Sequence, residues 1–311
     1  MSNVKLAKTL ERFETKIKDG HYYEAHQTLR TITNRYVRAK KYDDAIELLA
    51  KGAQLLIKAK QGGSATDLIF YLLEVYDLAK IQVDDLSSSR LVQLLSILDP
   101  QEPNLKDVIT GVNNWSIKFG KYKFGDPYLH HIMSKKLLQG GYCYEAERYM
   151  VLATKDSIED YVNFLWDWYL QAQEESKEEG DCNIADFYSR IILNYLFIFN
   201  IKFAYSAGEM FLTKFINNNK KKVTSWKIKK NEFELSFFPD YEELNFLELL
   251  LLTCQSGNKA LFIGLKQSFP NIESKYSNEL QYLGQEYFGI KTQKPVNFLQ
   301  DMMSGLLGGG L

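Results

Sequence analysis

Apolar residues recur along the first forty positions at the spacing of a helix face: Leu6, Leu10, Phe13 and Ile17, then Ala25, Leu29, Ile32 and Tyr36. Steps of three and four residues place each set on one stripe of a 3.6-residue helix. Between the two lies Gly20-His21-Tyr22-Tyr23-Glu24-Ala25, a phrase that returns as Gly141-Tyr142-Cys143-Tyr144-Glu145-Ala146 and, more loosely, as Lys40-Lys41-Tyr42-Asp43-Asp44-Ala45. In each, a small residue or loop ends one helix, and Tyr and Ala pack at the start of the next.

This phrase resembles the inter-helix turn of tetratricopeptide-type repeats, although the three Ala positions stand 20 and then 101 residues apart and keep no regular period. Only 6 Pro interrupt the chain, while 4 Trp, 20 Tyr and 19 Phe supply large buried area. Helical patterns continue near 64–80, 86–98, 104–119, 127–139, 142–153, 156–176, 184–199 and 202–218, and resume at 241–254, 257–268 and 273–287. Breaks fall at Gly62-Gly63, Asp99-Pro100, Gly125-Asp126-Pro127 and Gly140-Gly141. The expected fold is all-α: an irregular tetratricopeptide-like α-solenoid of antiparallel helix pairs, in halves of 1–140 and 141–311. One segment breaks the rhythm. Trp226 and Ile228, then Phe233, Leu235 and Phe237, alternate at period two around Lys229-Lys230-Asn231-Glu232, which predicts a β-hairpin near residues 223–238. Such a hairpin needs cover, so its aromatics either complete the solenoid's own core or receive a partner. The chain then reaches Asn297-Phe298-Leu299-Gln300-Asp301-Met302-Met303, whose apolar residues suggest docking and whose Gly-rich sequel suggests fraying.

Chemistry is hard to assemble from these residues. The four His are His21, His26 and the adjacent His130-His131, without metal-ligand spacing, and no phosphate-cradling loop or nucleophile elbow occurs. No catalytic residue, metal or cofactor is therefore expected. Cys143, Cys182 and Cys254 stand far apart, no apolar run approaches a membrane span, and the reading is a cytoplasmic protein that does not insert into a membrane. The formal net charge of −1 hides segregation: residues 1–60 carry net +6, 61–110 net −5, 140–190 net −8 and 200–235 net +5. Acidic blocks beside basic ones argue against nucleic acid as the partner. Lys5, Lys8, Arg12 and Lys16 form a ridge opposite the apolar stripe of the first helix, either a solvated face or a docking strip for an acidic protein surface. Asp67 and Glu74, seven residues apart, share a face. Ser64-x-x-Asp67 also reads as a capping box, with Gly62-Gly63 the loop that feeds a Ser64 cap. The acidic run at 174–181 has the composition of a solvated loop.

Longer phrases carry a resemblance. Lys5-Leu6-Ala7-Lys8-Thr9-Leu10, Tyr22-Tyr23-Glu24-Ala25-His26-Gln27-Thr28-Leu29-Arg30, Ala59-Lys60-Gln61-Gly62-Gly63 through Asp77-Leu78-Ala79, Asn113-Asn114-Trp115-Ser116-Ile117-Lys118-Phe119 and Asn297 to Gly305 are similar to the Golgi-to-ER traffic protein 4 family. That resemblance implies a non-enzymatic adaptor of the guided-entry pathway for tail-anchored membrane proteins. It implies an N-terminal half that docks on a dimeric targeting ATPase through Lys8, Arg12 and Lys16, with Tyr22 and Arg38 as neighbours. Asp67 and Glu74 match an acidic pair that restrains ATP hydrolysis. It also implies a C-terminal half that holds a ubiquitin-like-domain partner, itself the recruiter of a client-loaded co-chaperone. Trp226, Ile228, Phe233, Leu235, Phe237, Phe246 and Leu247 are the expected anchor for that partner. The alternative is a generic tetratricopeptide-like solenoid that binds a short peptide on its concave face.

Overall fold

The computed structural model describes residues 2–176, 182–219, 223–230 and 233–291, with backbone alone at 2–4, 229–230 and 233–234. The chain divides into two compact units, Met1–Thr154 and Lys155–Leu311. The first holds α1 (Ser2–Lys18), α2 (Tyr22–Arg38), α3 (Tyr42–Lys58), α4 (Gly62–Ala79), α5 (Asp85–Ile97), α6 (Leu105–Phe119), α7 (Pro127–Gln139) and α8 (Cys143–Leu152). α1 to α4 pack each on the next, as do α6 to α8, and every helix from α1 to α5 packs on the next but one, the layering of an α-solenoid. The unit extends past the Gly140-Gly141 break because α8 packs on α7, and Tyr149 of α8 joins the same core.

A regular device shapes the first four helices. Gly20, Lys40, Lys60 and Lys80 all take the left-handed conformation, at φ 81°, 55°, 57° and 53°. At each, the next residue's N–H reaches back to a carbonyl five residues earlier: His21 to Lys16, Lys41 to Tyr36, Gln61 to Leu56 and Ile81 to Tyr76, all 2.9 Å. These are Schellman turns. Their twenty-residue repeat gives the solenoid a period that the Ala spacing alone does not reveal. The repeat closes each helix at the same length, so the stripes Leu6/Phe13/Ile17, Ala25/Leu29, Ala45/Leu48/Leu49/Leu56 and Leu68/Leu72/Val75 meet in one core.

The start of α4 differs from the sequence reading. The helix begins at Gly62, Ser64 is already inside it, and no side chain caps its first turn. Ser64 therefore does not cap, and Asp67 lies in the second turn. Gly62 sits against Glu102, a buried carboxylate whose Oε2 would stand 1.8 Å from any Cβ added there. An acid at that end faces the positive pole of the helix dipole, and only a glycine leaves room for it.

The second unit contains α9 (Ser157–Glu175), α10 (Ile184–Phe197), α11 (Ile201–Asn218), β1 (Trp226–Lys230), β2 (Phe233–Phe237), α12 (Glu242–Ser256), α13 (Lys259–Ser268), α14 (Pro270–Lys275) and α15 (Ser277–Phe288). Its core is aromatic, with Tyr161, Tyr188, Tyr195, Phe211, Phe215, Phe238, Phe246 and Phe262 all fully buried. The helix expected over 273–287 is two helices. Buried Tyr276 interrupts it, stacked on Phe246 and donating its hydroxyl to Glu243, and this contact turns the chain inward between α14 and α15. The hairpin is present, antiparallel, with Trp226 opposite Phe237, Ile228 opposite Leu235 and Lys230 opposite Phe233. The chain is thus an all-α solenoid with one inserted β-hairpin. The run 177–181 and the docking segment 297–303 lie outside the described residues. No described helix is long and apolar enough to cross a membrane.

A lysine in the left-handed region carries a steric cost of roughly 1 kcal/mol that glycine avoids. Each of Lys40→Gly, Lys60→Gly and Lys80→Gly should therefore raise unfolding stability by about 0.5–1 kcal/mol. Urea denaturation checks this, and a midpoint that falls in all three would contradict the turn assignment.

Candidate functional sites

The ridge on α1 is where the helical spacing places it. Lys5, Lys8 and Arg12 are exposed, whereas Lys16 is half-buried and already engaged, 2.6 Å from Glu24 of α2 and within 3.5 Å of the Thr28 hydroxyl. The hydrogen bond and charge of Lys16 hold the Glu24 carboxyl below its ordinary range. Arg12 and Lys16 border a cleft of about 230 Å³ between α1 and α2, floored by Phe13, Ala25, Leu29 and Ile32 with Thr9 and Thr28 at its lip. The strip is therefore a row of cations beside an apolar seat. Tyr22 is half-buried against the core at the start of α2, and Arg38 is exposed in its last turn.

Asp67 and Glu74 share α4, but their surroundings are unlike. Arg30 Nη1 donates to Asp67 Oδ1 at 2.5 Å and Oδ2 at 2.6 Å, and His26 Nε2 lies 2.7 Å from Oδ2. Glu74 is exposed and has no ion pair or hydrogen bond among the described residues. The sequence reading missed His26 and Arg30. Their signal was present, since His26, Arg30 and Asn34 fall at i, i+4 and i+8 on α2.

The hairpin turns its two faces to different surroundings. Lys227 and Ser236 line a cavity of about 40 Å³ with Tyr205 and Leu212 of α11 and Glu248 of α12. On the other face Trp226 and Ile228 are 57% and 50% exposed, with Leu235 and Phe237 half-buried beside them. The Trp226 and Phe237 rings stack at 5.7 Å. Trp226 and Phe237 therefore do not complete the unit's core, because period-two alternation turns Lys227 and Ser236 toward the helices. Phe233 pairs in the ladder opposite Lys230. Phe246 and Leu247 correct the expected anchor: both are fully buried in α12, Phe246 between Phe269 and Tyr276, so they support the hairpin's platform and offer no surface.

Two contacts fix the hairpin to that platform. Asn245 brackets Phe238, its Oδ1 accepting from the Phe238 N–H at 2.8 Å and its Nδ2 donating to the Phe238 carbonyl at 2.7 Å. Glu248 accepts from the Tyr188 hydroxyl and, at 3.4 Å, from the Ser236 N–H of β2. Burial pushes the Glu248 carboxyl up to about 6 despite both hydrogen bonds. No group of three or more metal-ligating side chains occurs among the described residues.

Against known proteins, residues 39–307 match the family model described as Golgi to ER traffic protein 4. A protein of that description from Aspergillus fumigatus is 32% identical over 98% of this chain and 91% of its own length. One from Schizosaccharomyces pombe is 30% identical over 96% and 95%, and the Homo sapiens homologue is 28% identical over 96% and 85%. Among solved structures, the crystal structure of C. therm. Get4 superposes with a TM-score of 0.84 at 31% identity, covering 98% of this chain and 96% of that one.

Two outcomes follow from the hairpin geometry. Trp226→Ala and Ile228→Ala should each cost less than about 1 kcal/mol of folding stability, whereas Leu247→Ala should cost about 2–5 kcal/mol. Denaturation of the three variants separates surface from core, and equal losses would place the aromatics inside. The raised Glu248 carboxyl favours its protonated form in the folded state. Its contribution is full below about pH 4.5, the unfolded value, and is lost as pH rises through about 6. Glu248→Gln should therefore stabilise the second unit at pH 7 by up to about 2 kcal/mol and flatten the pH dependence between those values. A variant no more stable than wild type at pH 7 would contradict this.

Proposed function

Because this chain belongs to the Golgi to ER traffic protein 4 family, we propose that it serves the guided-entry pathway as a non-enzymatic adaptor between a dimeric targeting ATPase and a ubiquitin-like-domain partner. The ATPase docks on the first unit, against Lys8, Arg12 and Lys16 and the cleft they border, with Tyr22 and Arg38 as neighbours. The partner docks on the second, against the outward face of the hairpin at Trp226, Ile228, Leu235 and Phe237, with Phe233 in the same ladder and Phe246 and Leu247 as the platform beneath. That partner brings a co-chaperone carrying a tail-anchored client, and the adaptor promotes its handover for insertion into the ER membrane. Asp67 and Glu74 restrain ATP hydrolysis until the handover.

The observation that supports this reading is that each compact unit presents an exposed surface suited to a partner, and the two differ in kind. The first is cationic and suits an acidic protein surface, where exposed charges steer encounter and set register. The second is an aromatic strand face with half-exposed rings, the kind of patch that dominates protein interfaces. The adaptor needs no cofactor in this scheme, and the acidic blocks beside the basic ones argue against nucleic acid as a partner.

Titration of the purified protein against the ATPase, with and without ATP, tests it. Binding should weaken steeply as ionic strength rises, because charges this exposed are screened within about 10 Å at 0.1 M salt. Lys8→Glu with Arg12→Glu should reduce affinity about tenfold or more at low salt and leave the ubiquitin-like partner bound. Ile228→Asp should do the reverse. Wild-type protein that binds neither partner would overturn the proposal.

A further inference from the structure

The unlike settings of Asp67 and Glu74 carry an inference that rests on the reading above. We infer that, of the two acids, only Glu74 meets the ATPase, and that Asp67 acts through Arg30 and His26, which are positioning residues of the regulatory face.

Both oxygens of the half-exposed Asp67 carboxylate already have partners within the protein, one guanidinium nitrogen at 2.5 and 2.6 Å and the buried His26 ring at 2.7 Å. A cation arriving from a partner meets a neutralised pair there, and displacing Arg30 would break a charge-assisted pair whose guanidinium also lies 5.3 Å over the Tyr71 ring. Glu74, two turns further along the same helix, presents an unopposed charge to solvent. The clamp is one part of a ladder. Along α2, His26, Arg30 and Asn34 face α4, and the Tyr71 hydroxyl donates to Asn34 Oδ1 at 2.5 Å. Another side of α2 meets α1, where Glu24 and Thr28 receive Lys16. One helix thus makes polar contacts both to Lys16 of the basic ridge and to α4, the helix that carries Glu74, and these add a fixed local orientation to the apolar packing. Loss of the Asp67 charge removes this clamp between α2 and α4 and so lets the face that carries Glu74 shift relative to the ridge.

The two possible roles for Asp67 predict opposite effects of removing Arg30. If Asp67 contacts the ATPase itself, Arg30→Gln unmasks its carboxylate, and restraint of ATP hydrolysis is unchanged or stronger. If Asp67 acts through the clamp, Arg30→Gln releases hydrolysis much as Asp67→Asn does, and the double variant goes no further than either alone. The measurement is steady-state hydrolysis by the targeting ATPase saturated with the full-length protein, with binding affinity measured alongside. The expected result is loss of restraint in Arg30→Gln at an affinity within about twofold of wild type, since the ridge is intact. The reciprocal exchange, Arg30→Asp with Asp67→Arg, should recover restraint by restoring the pair in reverse. Unchanged or stronger restraint in Arg30→Gln overturns the inference, as does an exchange variant with native melting behaviour and no restraint. Glu74→Lys separates this from the wider reading: if it restrains hydrolysis as wild type does, the proposed regulatory face itself is wrong, and the inference falls with it.

Discussion

A lone helix of seventeen residues is barely stable in water, so each of the first helices depends on burying its single apolar stripe against a neighbour. What makes the stripes meet is the left-handed turn repeated at Gly20, Lys40, Lys60 and Lys80. Each turn stops its helix at the same point and reverses the chain, so equal lengths stack in register. Lys136 extends the principle to the far end of the unit: its buried ammonium donates to the Ser96 and Leu98 carbonyls at 3.0 and 2.9 Å and closes the end of α5 from α7. In the second unit Phe199 repeats the left-handed turn between α10 and α11, with its ring stacked on Tyr287. Everything on the surface of the first unit, ridge and acids included, is positioned by this layering.

Most of the helices were legible because their stripes are local and their breaks carry Gly, Pro or Asp. The hairpin was legible because its alternation stands out against helical spacing. The failures share a cause, since each turned on a contact distant in sequence. Ser64 looked like a cap because Glu102, which occupies the end of α4 beside Gly62, lies 40 residues downstream. The helix near 273–287 looked continuous because the pull on Tyr276 comes from Glu243 and Phe246. Phe246 and Leu247 looked like part of an apolar surface because a run such as Asn245-Phe246-Leu247-Glu248-Leu249-Leu250 does not declare which side is core. Asp67 was set apart from Glu74 by a capping box that does not form, because spacing reports a shared face and says nothing of what stands opposite it. His26 and Arg30 share a face of α2 by their spacing, but that spacing does not say that the face meets Asp67 on another helix.

The two surfaces also differ in how they would work. Exposed cations contribute little each and act through steering and register, so the ridge suits an encounter that forms and releases with conditions. An aromatic face on a hairpin held by Asn245 and Glu248 is preorganised and loses little freedom on binding, which suits a lasting association. A transient contact on one unit and a durable one on the other would be the division of labour that the proposed adaptor requires.

Hydrogen-exchange footprinting of the full-length protein with each partner separately tests that division most directly. The account predicts that the targeting ATPase protects α1, α2 and α4 and leaves the hairpin unchanged, while the ubiquitin-like partner protects β1 and β2 and leaves α1 unchanged. Protection of the same unit by both partners would contradict it.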